Sequence, residues 1–478
     1  MPGVPSGRGC DGCRKQKKKC DQAKPSCARC TRLSIPCVGG GKQRYKFKVQ
    51  VLEQQGSTAL VAKETCVQVN PLALVPRNRT STIAAVFISK LQVTDVRYDI
   101  NCYGTFLQRL PERLGKNKAL DASVDAFSTA LTTLHTDGNE LWALSKYGSA
   151  LNALQNSLND PVQSTTIDTM CAIYLIMVVQ GWIAKTDPNT STHAEGLSHL
   201  LQAASTRNWR GAFETEIIVT MCVPVIIEGM VNPRIKLQPW LSHLMDNFRI
   251  PEPFGPEPPD QAKKERENAN VFPSLRLRNL ARFPDFLREP ELHHLDILST
   301  YHMLRFDCRK LHLRSKAPVG DMTPEEAISA MRLNHGYRVA YAMAASLALM
   351  LNMILQGFDP LDSTLVRESV SCINELLHIA EESVCLRPLG SRYIPIGLSI
   401  AWAATDVAEL RTSTMTMLLE YQQDFVTTDW VETANWWKAK FKEAHLRILE
   451  HEASVPPDFD WDRKVEDVDL SSNECAIQ

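Results

Sequence analysis

Residues 10 to 37 decide the reading of this chain: Cys10-Asp11-Gly12-Cys13-Arg14-Lys15-Gln16-Lys17-Lys18-Lys19-Cys20, then Asp21-Gln22-Ala23-Lys24-Pro25-Ser26, then Cys27-Ala28-Arg29-Cys30-Thr31-Arg32-Leu33-Ser34-Ile35-Pro36-Cys37. The cysteines fall as Cys-x2-Cys-x6-Cys, a six-residue gap, and Cys-x2-Cys-x6-Cys again, so the half-motif repeats at an offset of seventeen. With cysteine at about 3% of positions, five further cysteines at fixed spacings arise by chance with a probability on the order of 10⁻⁸ per start site, which makes the pattern specific. Zinc takes four soft ligands in a tetrahedron, and Asp11 and Asp21 are the only other candidate ligands in the stretch, so one ion would use just four of the six thiols. Two ions fit the sequence better. They need eight ligand positions from six sulfurs, which requires two bridging thiolates. The first cysteines of each half, Cys10 and Cys27, are the symmetric choice.

Between Cys13 and Cys20 lies Arg14-Lys15-Gln16-Lys17-Lys18-Lys19. Seven positions span about two helical turns, so the spacing predicts a small basic helix pinned at both ends, with the lysines fanning outward. Two Zn²⁺ and six thiolates sum to a charge of −2, which the lysines partly offset; the remaining positive field can engage phosphates.

This segment resembles the DNA-binding module of the fungal binuclear zinc-cluster transcription factors. The match is carried by all six cysteines, by Pro25 in the connecting loop and by the basic run ending Lys19-Cys20-Asp21. The resemblance implies double-stranded DNA as partner, with a helix placed in the major groove. It also implies that Lys17, three residues before the third cysteine, reads the guanines of a CGG triplet. Gln16 stands where the family usually has Arg or Lys. Lys18, Lys19 and Arg14 are expected on phosphates, and Lys15 completes the candidate DNA-binding run.

Charge separates two jobs. The formal net charge is −1, yet residues 1 to 50 carry thirteen Lys or Arg against two Asp, so a basic head precedes an acidic body. Such a chain binds a polyanion at one end and repels it with the rest. Met1 to Gly9 has no apolar core, so no signal peptide is expected. Cys66, Cys102, Cys171, Cys222, Cys308, Cys372, Cys385 and Cys475 lack CxxC spacing and read as reduced thiols, mostly buried.

The chain divides into a zinc-cluster DNA-binding domain over 1–48, a linker over 49–81, an all-helical regulatory domain over 82–450 and an acidic, disordered tail over 451–478. Gly39-Gly40-Gly41 and the basic extension Lys42 to Lys48 follow the cluster, and no dimerising heptad repeat is present in the linker, so a homodimer is open but has no coiled coil to support it. In the body, Leu141, Leu144, Tyr147, Leu151, Leu154 and Leu158 step by three and four and close at Asn159-Asp160-Pro161, which predicts a helix buried along that stripe. Met170 to Val179 and most of Val339 to Leu355 are apolar all round. The first is too short and the second too interrupted for a membrane span, so both are expected as core helices and no membrane partner is expected. Strand-like alternation is scarce. The fold class is therefore a small binuclear zinc-cluster module followed by a large all-α domain, with length enough for two lobes. Ile250 to Ser274, rich in proline, reads as an exposed loop. Tyr147-Gly148 with the leucine stripe, and His193-Ala194-Glu195-Gly196 leading to Leu200-Leu201, are similar to the helical domain that follows the zinc cluster in many fungal regulators, which suggests regulation without naming a ligand.

Catalysis finds little support. His293, His294 and His302 come near Cys308 without HExxH spacing, no nucleophile elbow, Walker or dinucleotide glycine pattern occurs, and Trp430, Trp436 and Trp437 read as core rather than an aromatic cage. The tail interleaves acids with Phe459, Trp461, Val468 and Leu470, a composition that offers apolar groups to a coactivator groove. The sequence thus reads as a nuclear, sequence-specific activator of RNA polymerase II genes, with control of a secondary-metabolite gene cluster implied by the resemblance. An effector-responsive repressor and a zinc-stapled interaction scaffold are the alternatives.

Overall fold

The computed structural model describes residues 9–38, 78–135, 140–183, 193–205, 211–247, 272–316, 323–425 and 427–454. They belong to two units, one within Met1–Ala73 and one within Leu74–Gln478. The basic extension Lys42 to Lys48, most of the linker and of the proline-rich segment, and tail residues 455–478 lie outside the described residues.

In the first unit the offset of seventeen is written into the backbone. Helix α1 spans Asp11–Lys15 and helix α2 spans Ala28–Arg32. Each is followed by a residue in the left-handed region, Lys17 at φ 52° and Ser34 at φ 49°. Each is closed by the same pattern of hydrogen bonds, the Lys18 N–H donating to the Cys13 carbonyl at 2.9 Å and the Ile35 N–H to the Cys30 carbonyl at 3.1 Å. These are helix-ending turns of the Schellman type. The expected two-turn helix through Lys19 is thereby corrected: α1 stops at Lys15. A second turn would carry the chain straight on at about 1.5 Å per residue. The left-handed residue instead reverses it, and Cys20 returns to accept the Cys10 N–H on its Sγ at 3.5 Å. At Gly12 an added Cβ would stand 3.2 Å from Ile35 Cδ1 and 3.4 Å from Cys30 Sγ, so the close approach of the two halves favours glycine there.

The second unit is helical, with no strand among the described residues. Among the described residues its α-helices are α3 (Arg79–Leu91), α4 (Lys118–His135), α5 (Glu140–Asn159), α6 (Ile167–Ile183), α7 (His193–Ala204), α8 (Ala212–Val231), α9 (Trp240–Asn247), α10 (Leu277–Leu280), α11 (Phe283–Arg288), α12 (His294–Ser315), α13 (Pro324–Phe358), α14 (Ser363–Ser383), α15 (Ile394–Ala403), α16 (Ala408–Gln422) and α17 (Trp430–Ser454). Two apolar cores form. The first gathers α3 to α9 around Phe87, Phe106, Phe127 and Trp182; the second gathers α11 to α17 around Tyr301, Leu304, Trp437 and Phe441. α4 packs on α5 and α6, and α13 on α12 and α14.

The two all-apolar segments behave as expected. α6 buries Met170 through Ile176 on every side, as a helix without a polar face must. The segment Glu325–Phe358 is long and apolar enough to cross a membrane, yet 72% of its apolar window is buried inside the fold. Its N-terminus carries a capping box, with the Glu326 N–H donating to Thr323 Oγ1 at 3.4 Å and the Thr323 N–H to the Glu326 carboxylate at 2.9 Å.

α5 differs from its expected stripe. Its buried positions are Ala143, Ala150, Leu154 and Ser157, while Leu141 is 76% exposed and Leu144 and Leu158 also face solvent. Small residues on the inner face let α5 lie close to α4 and α6, so the leucine periodicity marked the wrong side for half of its members. The proline-rich segment ends differently as well. Ser274 is fully buried, its N–H and hydroxyl both donating to Asp307 at 3.1 and 2.7 Å.

Polar contacts join the two lobes of this unit. Arg392 donates to the Tyr103 hydroxyl at 2.6 Å, which also accepts from Trp182 Nε1 at 2.9 Å. Arg332 pairs with Asp99 at 2.5 Å, and Thr427 donates to the Gly181 carbonyl at 2.9 Å.

Candidate metal centre and nucleic-acid interface

All six clustered cysteines are free thiols; five are buried and Cys37 is half-buried. Their sulfurs form two four-membered groups, Cys10, Cys13, Cys20 and Cys27 in one and Cys10, Cys27, Cys30 and Cys37 in the other, with every pair inside a group within 4.8 Å. The shared members are Cys10 and Cys27, 3.7 Å apart. Cys10 lies 3.4 Å from Cys30 and Cys13 lies 3.7 Å from Cys27. A tetrahedron with Zn–S bonds of about 2.3 Å has an edge of about 3.8 Å, so these separations suit zinc. The donor set fits two ions that share two sulfurs.

The backbone treats the two shared thiols alike. Cys27 precedes α2 and its Sγ accepts the Cys30 N–H at 3.4 Å. The thiol of Cys10 is lowered from its ordinary value chiefly by a hydrogen bond from the Cys13 backbone, and that of Cys27 chiefly by one from the Cys30 backbone. Cys13 is instead pushed up to about 12 by burial and its neighbouring thiols, and Cys30 moves the same way for the same cause. N–H donors at a helix start favour a thiolate. The two sulfurs whose thiols are lowered by backbone donors are the two that serve both groups.

The basic run lies on the turn that leaves α1. Lys15, Gln16, Lys17, Lys18 and Lys19 are all exposed. Arg14 sits on α1, and its side chain lies outside what the structure describes. Gln16 is engaged: its Oε1 accepts from Arg29 Nη2 of the second half at 2.6 Å, a contact no spacing rule signals. Asp21 accepts the Ala28 N–H at 3.0 Å and so caps α2 rather than reaching the sulfurs.

In the helical unit His293 is half-buried, whereas His294 and His302 are exposed. His294 stacks on Phe358 with ring centres 4.1 Å apart, His293 packs near Phe286 and His302 near Tyr301. Cys308 is buried. Trp436 and Trp437 meet edge to face at 4.9 Å on the second core, with Phe441 beyond. Among the described residues, the two cysteine groups are the ones with metal-holding geometry. Burial pushes the Cys222 and Cys372 thiols up to about 12, as inert core cysteines.

Residues 8–46 match the model of the fungal Zn(2)-Cys(6) binuclear cluster domain. No curated protein and no solved structure matches the chain. Domains of this family bind two zinc ions, and the transcription factors that carry them are DNA-binding rather than enzymatic and generally nuclear. The doubled thiol cage, the basic turn beside it and the family match lead to one conclusion: residues 8–46 form a fungal Zn(2)-Cys(6) binuclear cluster domain, and a domain of this kind supports a DNA-binding transcription factor.

Proposed function

We propose that this chain is a sequence-specific activator of RNA polymerase II genes that works in the nucleus on CGG-type sites. Cys10, Cys13, Cys20, Cys27, Cys30 and Cys37 hold the two zinc ions, with Cys10 and Cys27 bridging, and the bound metal supplies the folding free energy that so small a unit lacks. Residues 1–48 act as the DNA-binding domain, 49–81 as a linker whose last residues already enter α3, 82–450 as the regulatory domain and 451–478, whose first four residues complete α17, as an acidic tail that recruits coactivators. Lys17 reads guanines, and Arg14, Lys15, Lys18 and Lys19 engage phosphates around it, with Gln16 beside them.

One observation carries this reading: Lys17 occupies the left-handed apex of an exposed basic turn anchored at both ends by buried thiols, Cys13 and Cys20. A lysine so placed is held at a fixed height above the metal centre while its neighbours offer charge to either strand. The activating direction rests on the acid and aromatic composition of the tail, and control of a secondary-metabolite gene cluster rests on the resemblance. The test is duplex binding by the full chain at several salt concentrations, with a CGG site and a mutated triplet, alongside transcript profiling of a deletion strain. Equal affinity for the two duplexes removes sequence reading. A rise in target transcripts on deletion makes the protein a repressor.

A further inference from the structure

Helix α12 has two faces of different fate. Ile297, Thr300, Tyr301, Leu304, Cys308 and Leu311 are buried in the second core. On the opposite side Leu295, His302, Phe306, Arg309 and Leu313 follow one another at spacings of three, four and seven, all exposed. Leu295 is 78%, Phe306 56% and Leu313 74% exposed, far more than large apolar groups on a finished surface require. The same face is basic. Arg309 and Arg314 form no ion pair with another described residue, and Lys310 holds its ammonium 5.6 Å from the Phe306 ring. A second copy of this positive face would be repelled by it. An acidic, apolar segment would be attracted.

The chain has such a segment, and it starts nearby. Residues 455–478 carry seven Asp or Glu against two basic residues, interleaved with Phe459, Trp461, Val468 and Leu470. Arg447 on α17 pairs with Glu291, three residues before α12 begins. From there α17 runs about two turns, roughly 10 Å, to its end at Ser454. α12 is about 33 Å long, and twenty-four extended residues reach about 80 Å, so the tail can cover the whole face from a starting point beside its first turn.

We propose that the solvent face of α12 is the docking surface for residues 455–478 of the same chain. The tail's apolar side chains lie on Leu295, Phe306 and Leu313, and its carboxylates face Arg309 and Arg314. Docking covers the side chains that an activator would present to a coactivator. That consequence rests on the activator reading, whereas the docking itself rests on the face, the charges and the exit point of α17.

The test uses the full-length protein. Trypsin cuts after Arg463 and Lys464 only when the tail is open, and the rate follows the open fraction when closing is fast. Arg309→Glu with Arg314→Glu is expected to raise that rate about tenfold. Carbodiimide coupling of the monomer is expected to join Lys310 or Lys316 to tail carboxylates, and the joins should disappear both in that variant and in Phe459→Ala with Trp461→Ala, which leaves the helical body unaltered. Equal cutting in all three proteins, or coupling at other surfaces alone, overturns the proposal. Joins between isotopically distinct chains overturn the intramolecular form of it. A tail that is protected and coupled as described but inert in a reporter assay removes the activator reading and leaves the docking standing.

Discussion

In the cluster unit, Ile35 is the one apolar side chain besides cysteine packed on the centre among the described residues, whereas the helical unit buries two cores rich in Phe, Leu and Trp. The two regions therefore depend on different forces. Burying a large apolar side chain contributes about 1.5–3 kcal/mol, so dozens of them hold the helical unit without help. The cluster unit has no such reserve, and thiolate–zinc bonds worth about 10–16 kcal/mol take that place. Strain follows the same division. The three non-glycine residues with positive φ among the described residues, Lys17, Gln22 and Ser34, all belong to the cluster unit. Metal ligation tolerates a strained backbone that apolar packing has no reason to impose.

The sharpest way to break this comparison is to remove metal. Chelation, or Cys10→Ala or Cys27→Ala, is expected to unfold the cluster unit and release both zinc ions, because each of these sulfurs belongs to both groups. The helical circular dichroism, dominated by the second unit, should hardly change. Metal analysis alongside the spectrum checks both halves of the statement; retention of one zinc by Cys10→Ala would end the bridging assignment.

The converse experiment attacks the first core. Phe127 is fully buried, with Trp182 4.8 Å and Phe87 6.1 Å away between ring centres. Phe127→Ala is expected to cost about 3–5 kcal/mol of helical-unit stability through the cavity it leaves. Zinc content should stay at two per chain. Denaturant titration followed by circular dichroism reads the loss, and a fall in zinc content would show that the two units are not energetically separate.

How legible these regions were in the sequence follows from the same contrast. Cysteine spacing announces the metal centre because each ligand is chemically distinct and its offset is fixed by a tetrahedron. The extent of α1 was not legible, since Arg14 to Lys19 is a plausible helix by composition, and only the return of Cys20 to Cys10 shows why the chain must turn at Lys17. The link from Arg29 to Gln16 is equally silent, joining residues of opposite halves. In the helical unit, class and core helices were readable because α6 and the later half of α13 are apolar all round. The face of α5 was not, because alanine and serine at its inner positions give a weaker periodic signal than the leucines that face outward.

A third measurement sharpens the roles inside the basic turn. Lys17→Ala is expected to cost about 1–3 kcal/mol on a CGG duplex and to flatten preference against a mutated triplet, if Lys17 reads bases. Lys19→Ala should weaken binding to every duplex and lower the salt slope by about one, as loss of a phosphate contact does. Neither change should alter zinc content or helical stability. Equal effects of both on preference would assign base reading elsewhere on the unit.

The smallest effect tests where the strain resides. Ser34 ends α2 as Lys17 ends α1, yet it lies outside the basic run, so its backbone can be relaxed without touching the residues expected on DNA. The left-handed conformation costs an L-residue about 1–2 kcal/mol. Glycine removes that cost but loses about 0.5–1 kcal/mol through its freer unfolded chain. Ser34→Gly should therefore stabilise the unit by about 0.5 kcal/mol, a roughly twofold gain in zinc affinity read by chelator competition. Ser34→Val, with a branched Cβ poorly suited to this conformation, should shift the competition the other way. Sequence preference on DNA should be the same for all three proteins. If glycine weakens zinc binding, the serine side chain matters more than its backbone, and the strain attributed to the paired helix ends is not what separates the two units.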